Sequence, residues 1–378
     1  MVKILHTSDI HLDSPFPLSD PEKGSRRKEE LRETLHNTVT FAIENGIDIF
    51  IVSGDLFDIE FVTAKTMEFF ISEMNRAENI RFVITPGSHD YYHDKSVYEH
   101  PDIPSNCFIF KKNEIEKLTF EDIETDIYGF AYVSEECAIN PLSSRYQLNR
   151  NHLNLLVCYG ETDNPNSKIA NFTKDDISMS GYDYIALGGM HRATKVDRAG
   201  STFYAYPGCM EARYFDETGS KGAIVIEYTK QINAYKEYVF EGSFSYKKFA
   251  KRRYESIEVD VTGMLEREDV INAIKRKLGE THSDENTICR ITLTGNTTVD
   301  FDLYTLKITG ADVGLYYIEF KDKTLPTLGS ENFDADITIR GVFYRELRPL
   351  LDNPDEKVRE RARDALKIGL QALNMRKD

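Results

Sequence analysis

Apolar residues recur along this chain in two rhythms: short unbroken runs, and longer stretches in which they return every third or fourth position. Val2-Lys3-Ile4-Leu5, the run from Ile47 to Val52, Ile80-Arg81-Phe82-Val83-Ile84, Leu153 to Val157 and Tyr182 to Leu187 are strand-length runs rich in β-branched and aromatic residues. Such runs predict strands covered on both faces, the inside of an α/β sheet. Between them, Gly24 to Asn45 places Leu31, Leu35, Val39 and Ala42 at helical spacing, and Val62 to Asn79 does the same with Met67, Phe70, Ile71 and Met74. Two βαβ units are expected from this alternation. Thr173 to Ser180 predicts a short helix capped by Thr173, and Ala199-Gly200 marks a hairpin. Runs at Phe203 to Tyr206, Ala223 to Glu227 and Tyr235 to Phe240 are expected to complete a second sheet. The pattern changes near Gly242. A strand at Ser256 to Val261, a helix at Glu266 to Leu278 and strands at Thr287 to Leu293 and Leu315 to Phe320 predict a small α+β unit. From Ile337 onwards, apolar residues at helical intervals on both sides of Pro354 predict two helices. The expected domains are therefore residues 1–242, 243–325 and 326–378.

Chemistry gathers where the strand runs stop. The second run ends in Ser53-Gly54-Asp55-Leu56-Phe57-Asp58, the first in His6-Thr7-Ser8-Asp9-Ile10-His11, the third in Thr85-Pro86-Gly87-Ser88-His89-Asp90, and Tyr182 to Leu187 in Gly188-Gly189-Met190-His191. A glycine after a strand most often marks only a turn. Four strand ends that each deliver carboxylate or imidazole groups point to a metal instead, because ligands gather at the carboxyl ends of such strands.

In order and spacing, Asp9-x-His11, Gly54-Asp55, Gly87-Ser88-His89-Asp90 and Gly188-Gly189-Met190-His191 resemble the calcineurin-like metallophosphoesterases. Residues 4–12 and 54–58 are most similar to the SbcD-type DNA repair exonucleases, and His-Leu-Asp-Ser-Pro-Phe at residues 11–16 resembles their YhaO-like branch. The resemblance implies a four-layer α-β-β-α sandwich, a small α+β capping domain and C-terminal helices that dock on an SbcC-like coiled-coil ATPase. It assigns Asp9, His11, Asp55 and His191 to a first metal, manganese or iron, makes His89 the catalytic histidine and places Asp90 to orient it. The private ligands of the second metal are replaced: Ser88 stands for an asparagine, and Tyr159 and Gly189 stand for histidines. One tightly bound ion per chain is expected, with rescue by Asp90, Glu161 or a Tyr159 phenolate left open. The implied function is a metal-dependent DNA exonuclease or endonuclease of reduced activity. The alternative is a catalytically weak or inactive subunit that binds DNA and the ATPase.

Composition narrows the setting. Five cysteines without a CxxC pair argue against a disulfide framework or zinc ribbon. The opening residues are too polar for a secretory signal, and no apolar run nears the roughly 20 residues of a membrane span, so a cytoplasmic enzyme is expected. With 47 Lys plus Arg against 63 Asp plus Glu the net charge is −16, awkward for a DNA binder, so any DNA contact must be a local patch. The one dense basic stretch is Tyr246 to Tyr254. Its Lys247, Lys251, Arg252 and Arg253 are either a solvated face or the DNA contact. A homodimer is left open.

Overall fold

The computed structural model describes residues 1–143, 146–164, 166–232, 238–297, 303–306, 314–326 and 335–374. The apolar runs become strands: β1 (Val2–Thr7), β2 (Ile49–Ser53) and β3 (Arg81–Thr85) lie parallel and side by side. They sit in a six-stranded sheet that continues on one side to Cys107–Ile109 and on the other to Gly222–Ile232 and Tyr238–Lys248. A second six-stranded sheet is centred on the parallel strands Leu153–Tyr159 and Tyr184–Gly188.

Side-chain alternation explains why these strands need cover on both sides. In β2, Ile49 and Ile51 face the second sheet and pack with Leu155, Val157 and Ala186. Phe50 and Val52 face the other way, against Leu31, Leu35, Val39 and Met74. Those residues belong to α1 (Pro21–Glu44) and α2 (Ala64–Arg76), whose entries are capped by Asp20 and Thr63. On the far face of the second sheet, Leu156, Cys158, Ile185 and Leu187 pack with Ile177 of the helix Lys174–Ser180. The layers therefore run helix, sheet, sheet, helix. Each fully buried Leu, Ile or Phe contributes about 1.5–3 kcal/mol, enough to hold the strand ends as a rigid rim.

Three expectations move. The run Ala223 to Glu227 joins the first sheet, where it pairs antiparallel with β1 from Val2↔Tyr228 to His6↔Ile224. Its apolar pattern suits a buried strand in either sheet, so only the pairing decides; of the expected strand Tyr235 to Phe240, residues 235–237 lie outside the described residues. The boundary at Gly242 falls inside the strand Tyr238–Lys248, whose ladder with Gly222–Ile232 carries the first compact unit through to Arg253. Residues from Tyr254 to Asp378 form the second unit. Within it Leu325 packs with Leu366 and Leu370 of the helix Glu356–Asn374, so the expected break between residues 325 and 326 falls in a shared core.

The second unit has a three-stranded sheet of Arg253–Asp260, Thr287–Thr294 and Tyr317–Asp322. The helix Arg267–Glu280 buries Val270, Ile274 and Leu278 in the same core as Val259, Ile291 and Leu293. The helices Ile339–Leu351 and Glu356–Asn374 pair through Phe343, Leu347, Leu366 and Leu370. No helix of the described residues is long and apolar enough to cross a membrane.

Candidate metal centre

The carboxyl ends of β1 and β2 are stitched together before any side chain acts. Asp9 N donates to Gly54 O at 3.1 Å, His11 N to Asp55 O at 2.9 Å and Leu12 N to Leu56 O at 2.9 Å. Asp9, His11 and Asp55 take left-handed backbone at φ 49°, 51° and 50°, rare for residues with a side chain. Strain of this kind costs about 1–3 kcal/mol per residue and persists where the surroundings over-determine it.

The side chains converge. The Nε2 atoms of His11 and His191 lie 3.4 Å apart, Asp9 Oδ1 is 3.7 Å from His191 Nε2, and Asp55 Oδ2 is 3.8 Å from His11 Nε2. His11 and Asp55 are fully buried, and Asp55 Oδ2 has no hydrogen-bond partner. Burial, with Arg213 and the other two imidazoles nearby, holds His11 well below the usual histidine range, so its ring is neutral and offers a lone pair. Burial, then the Asp90 and Asp9 carboxylates, push Asp55 up to about 7. Two imidazole nitrogens 3.4 Å apart on rings set edge to face, with an Asp9 oxygen beside them, form a group close enough to share a divalent cation, and the orphaned Asp55 oxygen lies next to it.

Three partners of this centre escaped the sequence. Glu217 Oε1 is 2.7 Å from His191 Nδ1, which orients the ring as an outer carboxylate commonly does for a ligating histidine. Burial raises Glu217, but His191 and Arg213 more than reverse it and hold it down to about 2. Arg213, itself buried, reaches Glu217 Oε1 at 3.3 Å and Asp58 Oδ2 at 3.7 Å. Asp58 in turn holds His89 Nδ1 at 3.2 Å. The i,i+4 spacing of Arg213 and Glu217, just past the Tyr206-Pro207-Gly208 turn, was the only available signal.

Asp58 thus takes the place expected of Asp90. Asp90 is fully buried, and its carboxylate accepts the amides of Leu56, Phe57 and Gly87 and the Tyr98 hydroxyl, so it ties the loops together and has nothing left for His89. The Asp58 hydrogen bond, set against burial, raises His89 to about 9, so the imidazole carries its proton near neutrality. His11, Asp58 and His89 also come close enough to share an ion. The guanidinium of Arg213 beside Asp58 disfavours a cation there, which leaves the Asp9, His11 and His191 group as the better one.

The three replaced positions meet around one ring. Tyr159 is buried, its hydroxyl 3.0 Å from Ser88 Oγ. A Cβ at Gly54 would lie 2.1 Å from Tyr159 Cδ2, and one at Gly189, where φ is 105°, would lie 3.2 Å from Tyr159 Cζ. The phenol fills the space these residues enclose. Burial, then the charges of Asp55 and Asp9, hold Tyr159 well above the usual phenol range, so it stays neutral. Glu161 Oε2 accepts from Asn164 Nδ2 at 2.5 Å, and the Asp90 carboxylate is engaged by the loop amides and the Tyr98 hydroxyl.

The basic stretch is not a DNA-facing surface throughout. Arg252 is buried and donates to Glu30 Oε1 at 2.7 Å; Lys251 Nζ donates to Glu33 Oε2 at 2.8 Å; Lys247 Nζ sits 5.4 Å above the Phe41 ring. These cations anchor the stretch on α1, because acidic residues of that helix face it.

Residues 2–187 match the family described as calcineurin-like phosphoesterase. The chain is 29% identical over 237 residues to the metallophosphoesterase YhaO of Bacillus subtilis strain 168, covering 60% of this chain and 57% of that protein, less than two thirds of its length. It is 26% identical over 355 residues to the DNA double-strand break repair protein Mre11 of Saccharolobus solfataricus, covering 88% of this chain and 86% of that one. Among solved structures, TT1561 of Thermus thermophilus is similar at 11% identity and a TM-score of 0.34, over 55% of this chain and 89% of that chain.

Proposed function

We propose that this chain, which through residues 2–187 belongs to the calcineurin-like metallophosphoesterases, is a metal-dependent phosphodiesterase of the SbcD-type DNA nuclease branch that works with one tightly held ion. The observation that carries the reading is the convergence of Asp9 Oδ1, His11 Nε2, His191 Nε2 and the unpartnered Asp55 Oδ2 beside a protonated His89. Bound there, manganese or iron would polarise the phosphodiester and acidify a water. Asp9, His11, Asp55 and His191 hold the position, and Glu217 keeps the His191 ring turned toward it. As water adds to phosphorus and the ester P–O bond breaks, the electron pair leaves on the alkoxide oxygen. His89, its Nδ1 fixed by Asp58, gives that oxygen a proton from Nε2. A neutral Tyr159 where a second cation would sit removes the symmetric clamp on both oxygens, so the rate is low.

Manganese-dependent hydrolysis of bis-p-nitrophenyl phosphate and of single-stranded and duplex DNA, beside Asp55→Asn, tests this. Activity equal in the variant would sink it, and two tightly bound ions by metal analysis would sink the one-ion clause. The Tyr159 ring also favours a second reading, a DNA-binding subunit without robust catalysis, which predicts bound metal and no hydrolysis. A coiled-coil ATPase of the SbcC type is the proposed protein partner. The exposed Ile339, Val342 and Ile368 on the paired C-terminal helices support it, and Ile339→Lys with Ile368→Lys is expected to end co-elution with such an ATPase.

A further inference from the structure

The cations lost to α1 in the basic stretch have a counterpart elsewhere. Immediately after His191 the chain lines a cavity of about 650 Å³, within the range of small-ligand sites. Arg192 and Lys195 stand on it, both exposed. Among the described residues neither has a hydrogen bond or an ion pair, unlike Lys251 and Arg252. No carboxylate is among the described residues lining the cavity, in a chain whose net charge is −16. Its other lining is apolar or neutral, with Val196, Ile224 and Phe244 against the hydroxyl of Thr218.

The walls are built. Tyr246 OH lies 3.2 Å from both Pro207 O and Ser220 O, which ties the strand Tyr238–Lys248 to two turns. Thr194 N donates to Tyr206 O at 2.9 Å, and Tyr206 N donates back to Thr194 Oγ1 at 3.1 Å, so the segment bearing both cations is pinned to the turn next to it. A preformed hollow with two uncompensated cations and an apolar lining suits a ligand with one anionic and one planar apolar part.

We infer that this cavity is a nucleotide subsite, which takes the nucleoside phosphate neighbouring the phosphodiester at the metal position. The inference rests on the reading of the centre as a phosphodiesterase, because His191 joins the two places in the chain. A phosphate engages Arg192 and Lys195, and the base lies against the apolar lining.

The test uses the full chain with manganese and a fluorescein-labelled oligothymidylate, read by anisotropy across a salt series, with dTMP as competitor. Arg192→Ala with Lys195→Ala is expected to weaken oligomer binding about tenfold and to flatten the salt slope by about 1.4, the contribution of two phosphate contacts to a single strand. Arg192→Lys with Lys195→Arg keeps both charges and is expected to stay within about twofold of the parent. Lys112→Ala with Lys168→Ala removes as much charge from surface lysines elsewhere and is expected to do little. Competition by dTMP lost in the alanine pair assigns the cavity to a free nucleotide as well, and dTMP competition unchanged with oligomer binding weakened assigns it to a strand; both support the subsite. Oligomer affinity and slope unchanged in the alanine pair, or an equal loss in the control pair, overturn it. Hydrolysis of bis-p-nitrophenyl phosphate, which has no neighbouring nucleotide, reports separately on the metal centre. A parent that binds the oligomer but hydrolyses nothing retires the enzymatic reading and leaves the subsite standing.

Discussion

Two buried charged clusters in the first unit are opposites. In one, Arg27 bridges Glu30 Oε2 at 2.7 Å and Glu211 Oε2 at 2.6 Å, Arg252 closes on Glu30 Oε1 at 2.7 Å, and Thr34 Oγ1 donates to Glu211 Oε1 at 2.7 Å. Every guanidinium meets a carboxylate. In the other, the Nε2 atoms of His11 and His191 lie 3.4 Å apart, Asp55 Oδ2 has no partner, and burial, then Asp90 and Asp9, raise the pKa of Asp55. The first cluster is electrostatically complete and joins α1 to the Glu211 turn and the basic stretch. The second gathers groups that could hold a cation. Burial alone therefore does not mark a functional site; burial of groups that repel or ignore one another does.

The contrast can be broken most sharply at Asp55. Asp55→Asn keeps the shape and the hydrogen bond from His89 N but removes the charge, and phosphodiester hydrolysis is expected to fall about a thousandfold, roughly 4 kcal/mol of lost stabilisation. The same variant without metal is expected to be more stable than the parent by about 1–3 kcal/mol, since a buried charge disfavoured by burial and by Asp90 and Asp9 has gone. Lower stability in denaturant melts of the metal-free variant would mean that the centre satisfies itself. Arg252→Ala should do the reverse: about 3–5 kcal/mol of stability lost, because Glu30 is left buried with one fewer partner, and metal content unchanged.

Manganese sharpens the comparison at the next level. At a hundred times its Kd it is expected to stabilise the parent by about 2.7 kcal/mol and Asp55→Asn by far less, read as a shift in the melting transition. Smaller still is Gly189→His. Replacing Ser88, Tyr159 and Gly189 together by Asn, His and His is expected to raise the bound metal from one ion to two. Gly189→His alone is expected to cost about 1–3 kcal/mol, because φ 105° suits glycine and the Tyr159 ring is still in place. An unchanged melting point for that single variant would show that the ring yields easily.

The smallest effect is the acid limb of the completed cluster. Burial raises Glu30, but hydrogen bonds from Arg252 and Arg27 more than offset it, so its folded pKa lies below the ordinary carboxylate value. A lowered folded pKa stabilises the fold above the unfolded value, about 4.3, and that share is lost as pH falls further through the folded pKa. Glu30→Gln is expected to flatten the loss of stability below about pH 4.3. An identical pH slope in the variant would place the acid sensitivity elsewhere.

The strands and the helices of the two βαβ units were legible in the residues because their causes are local. An unbroken apolar run needs cover on both faces, and the first polar residues beyond it emerge at the sheet rim, where Asp9, His11, Asp55, His89 and His191 stand; their roles at a metal were named from the family resemblance. Tertiary structure decided what those residues touch. Asp58 rather than Asp90 holds His89, although both lie near strand ends, because the loop amides claim Asp90 first. Glu217 and Arg213 reach the centre from a turn far along the chain, and Arg252 meets Glu30 across 222 positions, which buries one cation of a basic run whose lysines are exposed. Tyr159, read as standing where the resemblance places a histidine, packs its ring against Gly54 and Gly189 and meets Ser88 through its hydroxyl. Local spacing determines which face a side chain leaves from. The partner it meets there depends on the packing of segments hundreds of residues apart, and no short stretch of sequence contains both halves of that contact.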